Sequence, residues 1–285
     1  MIAPRIGLIT CREIPEPDAD QDLLLDALRA AGAEPRLIPW DGPEGAGTEC
    51  DLLVLRSAWN YFEAPERFES WLAAAAARGP LWNPLPVLRW NLRKTYLRQL
   101  ERQGIAIVPT RWIERGAPAE LGALLAETGW SEIVVKPTVS AGSFLTRRFA
   151  AAERREAEEF IARAGSGREW MVQRYLPSVE SSGERAIVAI DGAVSHAVRK
   201  TSRFAGEPER VSAALEPSPD ERMFAERSLG AVGAPLLYAR VDVIPDETGA
   251  LRLAELELLE PSLFLRQHPP ALERFVAAIL ARVPR

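Results

Sequence analysis

The chain of 285 residues is long enough for two or three sub-domains, and its content of 47% hydrophobic and 26% charged residues is typical of a globular protein. The formal net charge is −5 and the Lys and Arg residues are scattered, which argues against a nucleic-acid binder, because such a protein presents a clustered basic face. Two distant cysteines and two histidines disfavour a zinc site or a disulfide framework, and no signal segment or long apolar run is apparent, so we expect a soluble, cytoplasmic protein that does not enter membranes.

The first 86 residues alternate between strand and helix patterns. Short, β-branched, apolar runs predict buried strands, and apolar residues at helical spacing predict the helices between them. This order predicts a small open α/β domain over residues 1–86. The segment 81–87 is punctuated by prolines and predicts a linker, with the domain boundary near Pro86. The predicted elements are strands 5–10, 35–40 and 51–59 and helices 20–31 and 64–78.

After this boundary, helices mix with antiparallel hairpins, which predicts an α+β architecture rather than a second doubly wound sheet. We predict a central or lid subdomain over residues 87–175 and a C-terminal subdomain over residues 176–285. The pairs Asp191-Gly192 and Thr248-Gly249 predict hairpin turns. The predicted helices are 92–103, 118–128, 153–163, 220–232 and 270–282, and the predicted strands are 106–113, 132–137, 169–176, 184–190, 193–200 and the two arms of a hairpin within 236–261.

The last hairpin carries the most informative residues. Strand alternation puts Glu255 and Glu257 on one face, and Asp242 on the facing strand can meet them. Three converging carboxylates repel one another unless a positive charge lies among them, and Mg²⁺ with its preference for oxygen ligands is the usual ion. Arg240 shares the face of Asp242 and can meet a phosphate oxygen. The alternative is a solvated edge hairpin with ordinary surface charges.

Lys136 ends an apolar strand and is followed by a loop of small residues that contains Ser140, Gly142 and Ser143. Such loops let backbone N–H groups approach anionic oxygens while a lysine supplies a point charge, so the segment is similar to a phosphate cradle. Lys94, predicted one turn into a helix, is a second candidate. By itself, a lysine in either position is more often a solvated surface residue.

The segment QRYLP is predicted to leave a strand in extended conformation. Its Tyr175-Leu176 pair can lie against a flat base, and Glu180 or Glu184 can accept hydrogen bonds from ribose hydroxyls. Alone, this pattern is also that of an ordinary strand leaving a core.

Taken in order, these features resemble the ATP-grasp superfamily, in particular the branch that contains D-cycloserine ligase. Prokaryotic glutathione synthetase and D-alanine–D-alanine ligase are more distant relatives in this comparison. The resemblance covers roughly residues 50–280, and no single motif carries it. The segments involved are VLRSAWNY, NPLPVLRWNLRKTYL, IVPT, VVKPTVSAGSFLTRRF, QRYLPSVESSGERAIVAIDGAVSHAVRK and AELELLEPSLFL.

The resemblance implies a three-part fold with ATP and Mg²⁺ bound between the lid and the C-terminal subdomain. It implies that Lys94 and Lys136 hold the α- and β-phosphates and that residues 140–143 cover them. Arg240 would face phosphate. The adenine hinge would be Gln173, Arg174, Tyr175 and Leu176, the ribose carboxylate Glu184 or Glu180, and the magnesium ligands Asp242, Glu255 and Glu257.

The chain departs from the family pattern at two places. Glu257 stands where related ligases commonly have Asn, which adds negative charge. The segment TSRFAGEPERVSAALEP, after Arg199 and Lys200, lacks the Gly-Gly associated with that region. Arg199, Lys200 and Arg203 are nevertheless candidates for contacts to the γ-phosphate and the acceptor.

The implied reaction joins a small-molecule carboxylate to an amine through an acylphosphate at the expense of ATP. Arg56, Ser57 and Asn60 follow the third strand, where open α/β sheets bind ligands, and are assigned to the substrate carboxylate. A small-molecule kinase of the same fold and a nucleotide-binding module without turnover are the alternatives. The Asp242, Glu255 and Glu257 set argues against the second. A homodimer is left open.

Overall fold

The computed structural model describes residues 3–43, 45–165, 167–201 and 210–284. Its strands form three four-stranded sheets, which draw on the first, middle and last parts of the chain. The first sheet is parallel and the other two are antiparallel. This confirms the expected combination of an α/β part with α+β parts. Among the described residues, no helix combines the length and apolar character needed to cross a bilayer.

The first sheet has the order β2-β1-β3-β4. Its central strands are almost wholly apolar because both faces are covered. The strands are β1 (Arg5–Thr10), β2 (Glu34–Pro39), β3 (Leu52–Ser57) and β4 (Leu81–Trp82), and the helices of this part are α1 (Gln21–Ala30) and α2 (Pro65–Arg78).

The predicted linker at residues 81–87 is wrong, because this segment contains β4 and the start of α3 (Leu85–Asn91). Proline is well tolerated in a first helical turn, which explains how Pro86 lies inside a helix. The predicted single helix 92–103 is also divided: residues 92–95 form a turn, and α4 spans Tyr96–Arg102. Both helices pack on the third sheet. The division of the chain at residues 86 and 175 stays a prediction.

The second sheet has the order β5-β8-β6-β7, and two helices cover one of its faces. Along β6, Ile133 and Val135 enter this helix-covered core, whereas Val134 and Lys136 point to the opposite face, as strand alternation requires. The elements are β5 (Thr110–Ile113), α5 (Leu121–Thr128), β6 (Glu132–Pro137), β7 (Arg147–Ala150), α6 (Arg154–Arg163) and β8 (Trp170–Arg174).

The third sheet has the order β10-β9-β11-β12. One face packs against α4 and a later helix, α8, while the other meets the first sheet and the last helix, α9. The elements are α7 (Ser178–Ser182), β9 (Glu184–Ile190), β10 (Ala193–Lys200), α8 (Pro219–Gly230), β11 (Tyr238–Pro245), β12 (Leu251–Glu257) and α9 (Pro269–Leu280). The short helix α7 was not predicted.

Candidate active site

A cavity of about 600 Å³ lies between the second and third sheets. Strands β6 and β8 line it from one side and the ends of β10, β11 and β12 line it from the other. Residues of the first part of the chain, among them Trp59 and Phe62, also reach it. The cavity is large enough for a nucleotide together with a small substrate.

The register of the last hairpin brings its charged residues together as predicted. Arg240 is paired with Glu257 and Asp242 with Glu255, so the four side chains share one face. Glu255 and Glu257 line the cavity. Asp242 is only 1% exposed and lies behind them.

Asp242 is held by two basic side chains. The Arg240 Nε atom donates to Asp242 Oδ1 at 2.9 Å, and the Lys200 Nζ atom donates to Oδ2 at 2.7 Å. Burial alone would raise the pKa of Asp242, but Arg240 and Lys200 outweigh it and keep this pKa below its usual range. Asp242 therefore stays ionised and fixes the two cations.

Glu257 lies in a more acidic environment. Burial raises the pKa of Glu257 to about 7, with Asp242 and Glu255 acting in the same direction, although Arg240 forms an ion pair with it. Within the described part of the chain, no three side chains are in position to bind a metal ion on their own. Glu255 and Glu257 fit Mg²⁺ in another way, because this ion is usually held by one or two carboxylates together with substrate phosphates.

The predicted lysines both reach Glu255. The Nζ atom of Lys94 lies 2.8 Å from one oxygen of this carboxylate and that of Lys136 lies 3.9 Å from the other. Burial lowers the pKa of Lys136, and the charge of Lys94 adds to this effect while Glu255 opposes it. Two buried cations that share one carboxylate have unused capacity for a phosphate.

The loop after β6 is anchored at its base. Lys94 donates from its backbone N to the Thr138 carbonyl at 2.7 Å and from Nζ to the Ser140 carbonyl at 2.7 Å. Gly142 and Ser143 have φ values of 57° and 60°, so the backbone turns back over the cavity at these residues. Ser140, Gly142 and Ser143 all line it. The loop is therefore at the cavity, and its role in covering phosphates stays a prediction.

At the tip of the loop, Phe144 stacks on Phe62 with ring centroids 4.4 Å apart. The Tyr61 hydroxyl donates to the Ser140 carbonyl at 3.1 Å. The first part of the chain thus holds the loop over the cavity. Neither aromatic contact was predicted, because the partners lie about 80 residues apart and share no local pattern.

The predicted hinge lines one end of the cavity, with Gln173, Arg174, Tyr175 and Leu176 all at its surface. Apolar side chains from both sheets adjoin it and make a slot suited to a flat ring. These were not predicted and are Val108, Val134, Ile244 and Ala254.

The structure separates the two carboxylates proposed for the ribose. Glu184 lines the cavity and lies 2.5 Å from Lys200 Nζ, whereas Glu180 is exposed on α7. Glu180 instead accepts hydrogen bonds from Arg148 and from the Tyr175 hydroxyl, at 2.7 and 2.8 Å. The location of Glu184 favours it over Glu180 as the ribose carboxylate, which stays a prediction.

Of the basic residues after β9, Lys200 lines the cavity but Arg199 does not. Neighbouring residues of a strand point to opposite faces, and Arg199 is exposed on the outer face of β10. The structure thus does not bring Arg199 to the cavity, and its contact to phosphate stays a prediction. Arg203 lies outside the described residues.

The three residues assigned to the substrate carboxylate do not line the cavity. Arg56 is buried and its Nη1 atom donates to the Pro261 carbonyl at 3.1 Å. The Ser57 hydroxyl donates to Thr10 Oγ1 at 3.0 Å, and Asn60 donates to Asp41 at 2.9 Å. All three make hydrogen bonds within the protein, so the structure does not bring them to the cavity, and their assignment to substrate stays a prediction.

Arg56→Ala should therefore lower the stability of the protein. Loss of the bond to Pro261 leaves a buried carbonyl unsatisfied, which costs about 1–3 kcal/mol, or roughly 2–10 °C in Tm for a chain of this size. Thermal unfolding would measure it, with the exposed Arg274→Ala as the control. Arg56 Nη2 has no hydrogen bond within the described residues. An unchanged Tm with a raised KM for the carboxylate substrate would instead support the assignment of Arg56 to the substrate.

The distribution of lysines along the sequence is a further signal that points to the site. The chain has only three lysines among its 35 Lys and Arg residues, and all three line the cavity. Arginine supplies the positive charge elsewhere. Glu260 and Glu16, which also line the cavity, gave no comparable signal.

Comparison with known proteins identifies the class to which this fold and site correspond. A family model described as the N-terminal domain of D-cycloserine synthetase DcsG matches residues 6–83. The D-alanyl-alanine synthetase A of Vibrio cholerae has the same fold, with a TM-score of 0.69 and 13% identity over 99% of this chain and 100% of that one. The chain has the ATP-grasp fold and is an ATP-grasp ligase that forms a C–N bond.

Within this class the chain is similar to D-cycloserine synthetase. It is 28% identical to the cycloserine biosynthesis protein DcsG of Streptomyces lavendulae, over 93% of this chain and 94% of that protein. The crystal structure of D-cycloserine synthetase DcsG superimposes with a TM-score of 0.90, covering 98% of this chain and 100% of that one. The predicted resemblance is thereby confirmed.

Proposed function

We propose that the protein activates the carboxylate of a small, amino-acid-like or peptide substrate with ATP and Mg²⁺ and couples it to an amine. The observation that carries the proposal is the arrangement of Lys94, Lys136 and Glu255 beneath the covering loop. A nucleotide would lie with its base in the apolar slot and its phosphates at these lysines. Glu184 is suited to accept from ribose hydroxyls.

Mg²⁺, when bound at Glu255 and Glu257, would neutralise charge on the transferred phosphoryl group. The residues of the chain act mainly by position and charge. Arg240 and Lys200 are fixed by Asp242 and direct positive charge into the cavity, where preorganised charges can stabilise charge that develops during the reaction. No covalent protein nucleophile is needed.

In the proposed reaction, an oxygen of the substrate carboxylate attacks the terminal phosphorus of ATP and ADP leaves. An amine then attacks the carbonyl carbon of the acylphosphate. The C–O bond to phosphate breaks, inorganic phosphate departs and the amine nitrogen loses a proton to solvent. ATP, an acid and an amine thus give ADP, phosphate and an amide.

Hydroxylamine provides the test. It captures acylphosphates as hydroxamates, so the protein with ATP, Mg²⁺ and a panel of amino acids and dipeptides should form a hydroxamate from at least one acid. Phosphate release should rise in step. A stable phosphorylated product without hydroxamate would favour the kinase alternative, and nucleotide binding without phosphate release from any acid would favour the binding module.

A further inference from the structure

The segment Glu260–Ser262 follows β12 and forms a wall of the cavity. Three side chains hold its carbonyl groups. Trp59 Nε1 donates to the carbonyl of Glu260 at 2.9 Å, and Arg56 Nη1 donates to that of Pro261 at 3.1 Å. Arg240 Nη1 donates to the carbonyl of Ser262 at 3.3 Å. The segment is fixed from both the first part of the chain and β11, so the Glu260 side chain has a rigid base.

The basic side chains that line the cavity all have carboxylate partners. The pairs are Lys94 and Lys136 with Glu255, Lys200 with Glu184 and Asp242, Arg174 with Glu247, and Arg240 with Asp242 and Glu257. Glu260 is different, because its carboxylate makes no hydrogen bond or ion pair with the residues that the structure describes. The Glu260 carboxylate therefore extends from a fixed backbone segment to the cavity, where no described side chain binds it.

Burial raises the pKa of Glu260 well above its usual range, and the charge of Glu257 acts in the same direction, while the charges of Lys94 and Arg240 oppose this rise without outweighing it. An ionised carboxylate in this location is costly unless a cation lies beside it. The described chain provides no such cation at hydrogen-bonding distance. A positively charged group of the ligand would provide it.

We infer that Glu260 binds a positively charged ammonium group of the carboxylate substrate, so that the substrate is an amino acid or a compound with an equivalent cationic amine. This inference rests on the proposed function. Glu260 is a recognition residue in this scheme, and Trp59 and Arg56 position it through the backbone. Removal of the ammonium group from the substrate should lower kcat/KM about as much as removal of the Glu260 charge.

The test compares acids that differ only in the amino group. D- and L-alanine, D- and L-serine and D- and L-glutamate are paired with propionate, 3-hydroxypropionate and glutarate, and ATP-dependent hydroxamate formation is measured. The wild-type protein should prefer at least one amino acid over its partner by about 10- to 100-fold in kcat/KM, as expected for a hydrogen bond to a charged group. Glu260→Gln should raise the KM of that amino acid by a similar factor and remove most of the preference.

The KM of ATP should change by less than about threefold in Glu260→Gln, and Glu260→Asp should recover part of the preference. Glu273→Gln, the same change at an exposed carboxylate of α9, serves as the control. Equal use of the paired acids by the wild-type protein would overturn the inference and leave the proposed function intact. So would a Glu260→Gln variant whose main defect is a higher Mg²⁺ requirement. Hydroxamate formation from no acid at all would overturn the proposed function itself.

Discussion

Glu255→Gln should reduce kcat by about 10²- to 10⁴-fold, because loss of one charged ligand to a phosphate-bridging Mg²⁺ removes several kcal/mol of charge stabilisation. Glu257→Gln should behave similarly, and Asp242→Asn should also abolish turnover because Arg240 and Lys200 lose their common partner. The measurement is the rate of ATP-dependent hydroxamate formation as Mg²⁺ is titrated.

Turnover and nucleotide affinity should respond differently to Glu255→Gln. Glu255 neutralises Lys94 and Lys136, so its replacement leaves both lysines free for phosphate while it weakens the site for Mg²⁺. ATP should therefore bind to the variant in the absence of metal at least as tightly as it binds to the wild-type protein, but without turnover. Glu273→Gln is the control for the same change on the surface. Near-wild-type turnover in all three site variants would show that the metal ligands lie elsewhere.

Lys136→Ala should weaken ATP binding by about 1–3 kcal/mol, or roughly 5- to 150-fold in Kd, because a charge-assisted hydrogen bond to phosphate is lost. Lys94→Ala should have an effect of the same size and should also loosen the covering loop, since its Nζ atom holds the Ser140 carbonyl. Isothermal titration calorimetry with ATP and Mg²⁺ would measure both. Lys136→Arg keeps the charge and should recover part of the affinity, although its geometry differs.

The small number of lysines gives an independent check on the same site. An amine-reactive acylating reagent can modify only Lys94, Lys136, Lys200 and the terminal amine. Bound ATP and Mg²⁺ should protect the three lysines in peptide mass spectra and leave the terminal amine reactive. Unchanged ATP affinity in both alanine variants, together with unprotected lysines, would exclude this location for the phosphates.

Strand alternation is a local property, and it predicted which face of a strand each charged residue of the last hairpin occupies. The common face of Arg240, Asp242, Glu255 and Glu257 follows from a period of two residues and from a tight turn, both of which are read along the chain. In the structure the same rule places Lys136 on the face opposite to Ile133 and Val135. The prediction of secondary structure was wrong near prolines, because α3 begins within the segment 81–87 that was predicted as a linker.

The partners of buried polar groups depend on packing between distant segments, which no local pattern predicts. Arg56 has the pattern of an anion-binding residue, but its acceptor is the carbonyl of Pro261, 205 residues away. The sequence does not distinguish Glu180 from Glu184 as the ribose carboxylate. In the folded protein, Glu180 lies on α7 and is exposed. In the sequence, Glu260 resembles any acidic residue that follows a strand. Only the folded protein shows that its carboxylate lines the cavity without a partner among the described residues. Local periodicity thus determined which face a side chain takes, whereas tertiary packing decided which of these side chains are satisfied by the protein and which remain for a ligand.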